Sequence, residues 1–239
     1  MNRPERLNAW SEDLSAALLE ALHKTQADPA VKGVVLTGKG RAFSAGADLK
    51  DPRTHRIDSI EQYLESPAAR GRPIFDLVSH YDKPILSAVN GYAIGIGCLV
   101  PLCCDFIYAA QPAQFQLPQV SLGILPAYGG ALRLVRAVGE LNAREMILTG
   151  RMVSAEEAYG WGLVSRLLAE DELMPVALQT MRSIVQQPSY AVSFARESIR
   201  MAADANNMRA AELSDAYRSL ILQQLKDTKQ QHDAWRNRR

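Results

Sequence analysis

The sequence predicts a mixed α/β protein with a largely parallel sheet and a helical C-terminal region. Short apolar runs with strand character at 31–36, 85–89 and 106–109 alternate with helical segments, which is the pattern of βαβ crossovers. From Leu132 onward the pattern is almost wholly helical. The 239 residues are 47% apolar, enough for one sizeable core, and no low-complexity linker divides them.

Ser11, followed by Glu12 and Asp13, is a helix start, and Leu14, Leu18, Ala21 and Leu22 share a face of that helix, which ends before Pro29. Residues 31–36 follow as a buried strand, and Gly38, Gly40 and Gly46 mark 37–51 as a loop leaving its carboxyl end. The polar stretch 58–80 is compatible with helix. A second strand covers 85–89, and Gly95-Ile96-Gly97 opens an apolar helix that Asp105 breaks. A third strand, 106–109, and a short fourth, 115–117, lead to the turn Pro126-Ala127-Tyr128-Gly129-Gly130, which opens the helix of Arg133 and Arg136. Ser154-Ala155-Glu156-Glu157 starts a further helix, Pro188 breaks another, and Glu140 after Gly139 reads as a helix N-terminal acid.

Several classes are disfavoured. A net charge of +1 creates no field for polyanions, so nucleic acid is not the expected partner. Residues 84–104 are uncharged and long enough to span a bilayer, but Pro84, Asn90, Gly91, Gly95, Gly97 and Pro101 divide them, which predicts a core strand, turn and helix and no membrane segment. Cys98, Cys103 and Cys104 have neither disulfide-framework nor zinc-ligand spacing and read as reduced, buried thiols. The first twenty residues are charged throughout without an apolar signal region, so a cytoplasmic protein is expected. His23, His55, His80 and His232 are scattered over unrelated elements and predict no metal site.

Asn2-Arg3-Pro4-Glu5-Arg6-Leu7-Asn8-Ala9, Ala42-Phe43-Ser44-Ala45-Gly46-Ala47-Asp48-Leu49-Lys50, Ala88-Val89-Asn90-Gly91-Tyr92-Ala93, and Gly123-Ile124-Leu125-Pro126 with Gly129-Gly130 form four blocks, joined by a fifth stretch, Leu148-Thr149-Gly150 with Ala155-Glu156-Glu157-Ala158 and Gly160-Trp161-Gly162-Leu163-Val164. On these the chain resembles the crotonase (enoyl-CoA hydratase/isomerase) superfamily nearly end to end. The resemblance implies a crotonase-like ββα spiral core at 1–185 and a helical trimerisation region at 186–239, assembled as a homotrimer or a dimer of trimers. It implies an acyl-CoA thioester as substrate, with coenzyme A arriving as part of it and no permanently bound cofactor. The oxyanion-hole amides fall on Ala47 and Ile96, the second at a helix's positive end. Ala45, Asp48, Leu49 and Lys50 would follow the pantetheine and adenine, Lys50 meeting a phosphate, while Asp48 is also expected to brace its loop.

Hydration of an enoyl thioester needs one group to activate water and another to protonate the α-carbon. The family's two glutamates fall here on Leu99 and Gln119, neither of which exchanges protons near neutrality. The turn where other members carry an acid reads Leu125-Pro126-Ala127-Tyr128, so Tyr128 is its one proton donor, with Glu61 and Glu65 as outside candidates. Ile96 stands where the family has glycine and is expected to crowd the thioester; Pro101 is expected to kink its helix. Family members carry a β-hairpin before the Asn-Arg-Pro block, so the first strand is expected at an exposed edge. Leu213, Ala216, Leu220 and Leu225 form an apolar helix face for a neighbouring subunit. Two readings stay open: an enzyme using an enolate (isomerase, lyase, thioester hydrolase or decarboxylase), or a non-catalytic acyl-CoA-binding scaffold.

Overall fold

A computed structural model of the chain describes residues 1–51, 59, 72–204 and 208–230. In one four-stranded sheet, β1 (Val34–Thr37), β3 (Ile85–Val89), β5 (Phe106–Ala110) and β8 (Arg166–Leu168) are neighbours in that order, all parallel. In the other, β2 (Ala42–Ser44), β4 (Tyr92–Ile94) and β6 (Gln114–Gln116) run parallel and β7 (Val153–Ser154) joins β6 antiparallel. Through β6 the chain thus climbs as a spiral, laying one strand in each sheet per turn and returning through helical connections. This is the ββα architecture that the resemblance implies, and β1 lies at its sheet's edge.

Helix α1 (Glu12–Ala27) begins as expected, with Ser11 Oγ accepting the Leu14 N–H at 3.2 Å. Leu14 and Leu22 are buried and Leu18 half-buried, but Ala21 is exposed. It sits at the margin of the stripe, where a single methyl group does not reach the core. Helix α2 (Arg72–Ser79) buries Ile74, Phe75 and Val78. Most of the stretch before it, Glu61 and Glu65 included, lies outside the described residues, as do His55 and His232.

The uncharged 84–104 region folds as β3, β4, a single α-helical turn α3 (Ile96–Leu99) and a 3-10 turn at Pro101–Cys103. The expected apolar helix is cut short because Pro101 has no N–H to give the Gly97 carbonyl and its ring would strike that carbonyl. Asp105 then ties three elements together. Its carboxylate accepts the Ile85 N–H at 2.8 Å and the Arg196 Nε–H at 2.9 Å, joining β3 and β5 to α7 (Ser189–Asp204).

Four strands depart from the sequence expectation. Residues 42–44 form β2 inside the supposed loop, β4 follows Gly91, and β7 and β8 interrupt the region read as helical. Each is only two or three residues long, too short to display alternation. Helix α4 (Gly130–Thr149) passes through a non-helical Gly139 (φ 77, ψ 166), so Glu140 opens its second half and pairs with Arg144. A capping box starts α5 (Ala155–Gly160), with Ser154 Oγ accepting Glu157 N–H and Glu157 accepting Ser154 N–H. Helix α6 (Leu173–Val185) lays Leu173, Ala177 and Met181 on the first sheet against Leu86, Ala88 and Tyr108. Pro188 separates α6 from α7, and α8 (Met208–Gln224) follows. Leu220 and Ala216 of α8 are exposed and Leu225 is half-buried; the side chain of Leu213 lies outside the described residues. Among the described residues no helix is long and apolar enough to cross a membrane, and no metal-ligand cluster forms.

Candidate active site

Two peptide groups, one after Gly46 and one after Gly95, are brought together at the carboxyl ends of β2 and β4, neighbouring parallel strands of the second sheet. A Cβ at Gly46 would stand 2.7 Å from the Ile94 carbonyl oxygen and 3.8 Å from Gly95 Cα, and Gly46 has φ 86. Only glycine tolerates both the left-handed angle and this approach. A Cβ at Gly97 would collide with the Ser44 carbonyl oxygen, so α3 rests backbone to backbone on β2.

Each of these peptides is anchored by its oxygen. The Gly46 carbonyl accepts the Trp10 N–H at 2.7 Å, and the Asp48 N–H returns to the Trp10 carbonyl at 3.0 Å. In a planar trans peptide the N–H points opposite to the C=O, so the Ala47 N–H faces away from Trp10. The Gly95 carbonyl likewise accepts from Cys98 N at 2.9 Å and Leu99 N at 3.0 Å, which turns the Ile96 N–H out from the start of α3. Neither amide has a hydrogen-bond acceptor among the described residues. The helical contribution expected at Ile96 is confined to one α-turn. The Ile96 side chain is half-buried and packs against the main core.

Gln119, at the 3-10 turn Pro118–Leu122 after β6, is 8% exposed. Its Nε2 lies 3.7 Å from where a Cβ on Gly95 would stand, and its Oε1 is buried without a partner among the described residues. A buried, unpaired acceptor is costly unless a ligand or water meets it. Leu99 is 2% exposed and fills the space over Gly130, whose Cβ would meet Leu99 Cδ2 at 2.5 Å. Tyr128 adopts φ 56 and stacks on Phe75 with ring centroids 4.7 Å apart. Half-buried against the core, it is a packed aromatic first.

The loop after β2 divides its residues. Ala45 donates its N–H to the Leu7 carbonyl at 2.9 Å. Asp48 is buried, receives Arg3 at 3.3 Å and accepts the Lys50 N–H at 3.2 Å, so it braces the loop. Leu49, 68% exposed, and Lys50, also exposed, stand on the rim. The Arg3 contact and the Gly46–Gly95 approach were not read from the sequence; the glycines themselves were its one available signal. A separate cleft of about 180 Å³ opens at the amino ends of β1 and β3 between Val31, Pro84, Ile184 and Val192, away from both amides.

Cys98, behind the Ile96 amide, is buried, and burial pushes its thiol up to about 12 from an ordinary value of 9.0. The unfolded chain therefore releases this proton first as pH rises. Its contribution to stability is complete below pH 9.0 and is lost progressively between there and about 12. Iodoacetamide at pH near 8 is expected to leave Cys98 unmodified in the folded protein and to alkylate it in urea, as read by peptide mass spectrometry.

Residues 1–237 match the family described as enoyl-CoA hydratase/isomerase. A probable enoyl-CoA hydratase of Rhizobium meliloti is 40% identical over 199 residues, covering 83% of this chain and 75% of that protein. The mitochondrial enoyl-CoA hydratase of Pongo abelii is 38% identical over 202 residues, 84% of this chain and 68% of its own. The solved structure of an enoyl-CoA hydratase subunit from Geobacillus kaustophilus superposes with a TM-score of 0.91 at 31% identity, covering 99% of this chain and 90% of that one.

Proposed function

The chain belongs to the enoyl-CoA hydratase/isomerase family, and on that premise we propose that it binds an acyl-CoA thioester through the Ala47 and Ile96 amides and stabilises an enolate, while hydrating enoyl-CoA poorly. The observation that supports this is the pair of peptides anchored by their oxygens, Gly46 on Trp10 and Gly95 on Cys98 and Leu99, which follow two glycines in close approach and whose N–H groups have no acceptor among the described residues. Donors held in advance at the point where an oxyanion develops need no reorganisation, and removing one such donor typically costs about 10²–10³ in rate.

Leu99 and Gln119 carry no titrating group, and Asp48 is engaged by Arg3 and the Lys50 amide. Decarboxylation fits this set better than addition of water, because the departing CO2 leaves its electron pair on the enolate that the oxyanion hole holds; isomerisation and thioester hydrolysis remain alternatives that need a proton carrier besides the two amides. The same missing acids favour the second reading, a binding protein without turnover. Coenzyme A comes with the substrate: Ala45 and Leu49 flank it and Lys50 meets a phosphate, while the Asp48 side chain, turned to Arg3 and the Lys50 amide, braces their loop. Residues 186–239 serve a trimer or dimer of trimers, a role supported by exposed Tyr217, Leu220 and Ile221 on α8. The free thiols of Cys98, Cys103 and Cys104 suit a reducing compartment such as the cytoplasm.

Calorimetry with butyryl-, crotonyl- and malonyl-CoA, beside absorbance turnover of each, tests this function. Binding in the micromolar range, roughly 8 kcal/mol, is expected, with slow or absent hydration of crotonyl-CoA. Binding without turnover of any thioester selects the scaffold reading; fast hydration, or no binding at all, overturns the proposal.

A further inference from the structure

The Ala47 amide is aimed from behind. Trp10 holds the Gly46 carbonyl and the Asp48 N–H on either side of Ala47, so any tilt of Trp10 tilts the peptide that carries the Ala47 N–H. One guanidinium spans this bridge. Arg3 Nη1 donates to the Ala9 carbonyl and to Ser11 Oγ, both at 2.9 Å, which flank Trp10. Nη1 and Nη2 both reach Asp48 Oδ2 at 3.3 Å, the residue that follows Ala47. The Asp48 side chain is only 9% exposed and that of Arg3 31%, so the pair is partly shielded from water.

Arg3 is itself fixed. Its N–H donates to Asn8 Oδ1 at 2.7 Å, and Asn8, fully buried at φ 53, donates Nδ2 to the Lys39 and Ala42 carbonyls at 3.1 and 2.7 Å. The Asn8 carbonyl in turn accepts Ser44 Oγ–H at 2.9 Å, on the strand leading into the loop. A flat, forked cation suits this arrangement because it serves a carbonyl, a hydroxyl oxygen and a carboxylate at once, which an ammonium does not reproduce. The Arg3 contacts to Ala9 and Ser11 flank Trp10, whose bond to the Gly46 carbonyl lies opposite the Ala47 N–H.

We propose that Arg3 and Asp48 are a positioning pair that aims the Ala47 N–H at the thioester carbonyl, an inference that rests on the acyl-CoA function proposed above. The pair touches no substrate atom. Its effect reaches the ligand through one peptide plane, so it must be felt by a carbonyl and not by the rest of coenzyme A.

Butyryl-CoA and S-butyl-CoA, in which a methylene replaces the carbonyl, separate these contributions when titrated calorimetrically into the full-length protein. The native chain should prefer the thioester. Arg3→Gln and Asp48→Asn should each lower that preference about tenfold, with S-butyl-CoA affinity changed less than about twofold. The double variant should be no worse than either single one, and Arg3→Lys should fall between Arg3→Gln and the native chain. Urea midpoints establish folding; where Arg3→Gln does not fold, the isosteric Asp48→Asn carries the test. An unchanged preference, or equal weakening of both ligands, overturns the positioning role. A native chain without any preference for the carbonyl overturns the acyl-CoA function, and the pair's role with it.

Discussion

The Leu99→Glu, Gln119→Glu double variant is expected to hydrate crotonyl-CoA at least about 10²-fold faster than the native chain, since each general acid or base typically contributes 10²–10⁴. Gln119→Glu is the simpler half. The new carboxylate is nearly isosteric with the amide, puts an oxygen in place of the Nε2 beside Gly95, and keeps the oxygen that has no partner among the described residues. Burial should raise its pKa toward neutrality, where a general base is most effective. Leu99→Glu is harder, because Leu99 is 2% exposed and packed over Gly130. Placing a carboxyl group there should cost about 2–4 kcal/mol of stability unless it turns to the ligand. Loss of the enoyl thioester absorbance reports the rate, and urea unfolding reports the cost. A folded double variant with no gain would implicate the aim of the Ile96 amide, since Pro101 ends its helix after one turn.

Gly46→Ala should remove thioester binding almost completely, by about 10²-fold or more, because it moves the Ala47 donor itself. The alanine methyl would stand 2.7 Å from the Ile94 carbonyl oxygen, and β4 cannot retreat because β2 and β6 hold it on both sides. The left-handed φ of 86 adds strain of about 1–2 kcal/mol. With the overlap, the melting experiment should show a loss of about 2–4 kcal/mol. Gly123→Ala is the control. Its φ of 73 is also left-handed, but no atom lies within 4 Å of the added methyl, so it should lose about 1–2 kcal/mol and keep its ligand. Retained preference for butyryl-CoA over S-butyl-CoA in folded Gly46→Ala would remove the Ala47 donor from the proposed mechanism.

Much of this arrangement is legible in the residues, and the rest is not for identifiable reasons. Residues 85–89 are apolar without interruption and are found as β3 with those bounds. The Ser11 cap and the Ser154 capping box announce their helices by local chemistry. Strands β2 and β4 carry no such signal: three residues cannot show a period, and both lie among glycines that read as loop. Pro101 was visible as a disturbance, yet how far it shortens α3 depends on which carbonyl its ring would meet. At the site, Ala47, Ile96, Leu99 and Gln119 were placed by likeness to the family. The Arg3–Asp48 contact spans 45 positions and follows from the loop's folding back on the N-terminal segment, which no spacing rule predicts.

The spiral has a consequence for how this chain acquires its structure. Val34 meets Ile85, Leu86 meets Phe106 and Tyr108 meets Arg166, partners about twenty to sixty residues apart, and every pairing in that sheet is parallel. On the ribosome the first sheet cannot be completed until β8 has emerged, by which time most of the chain has been synthesised. Refolding should therefore be slow for a protein of this size and sensitive to concentration, with unpaired strands waiting on partners made later.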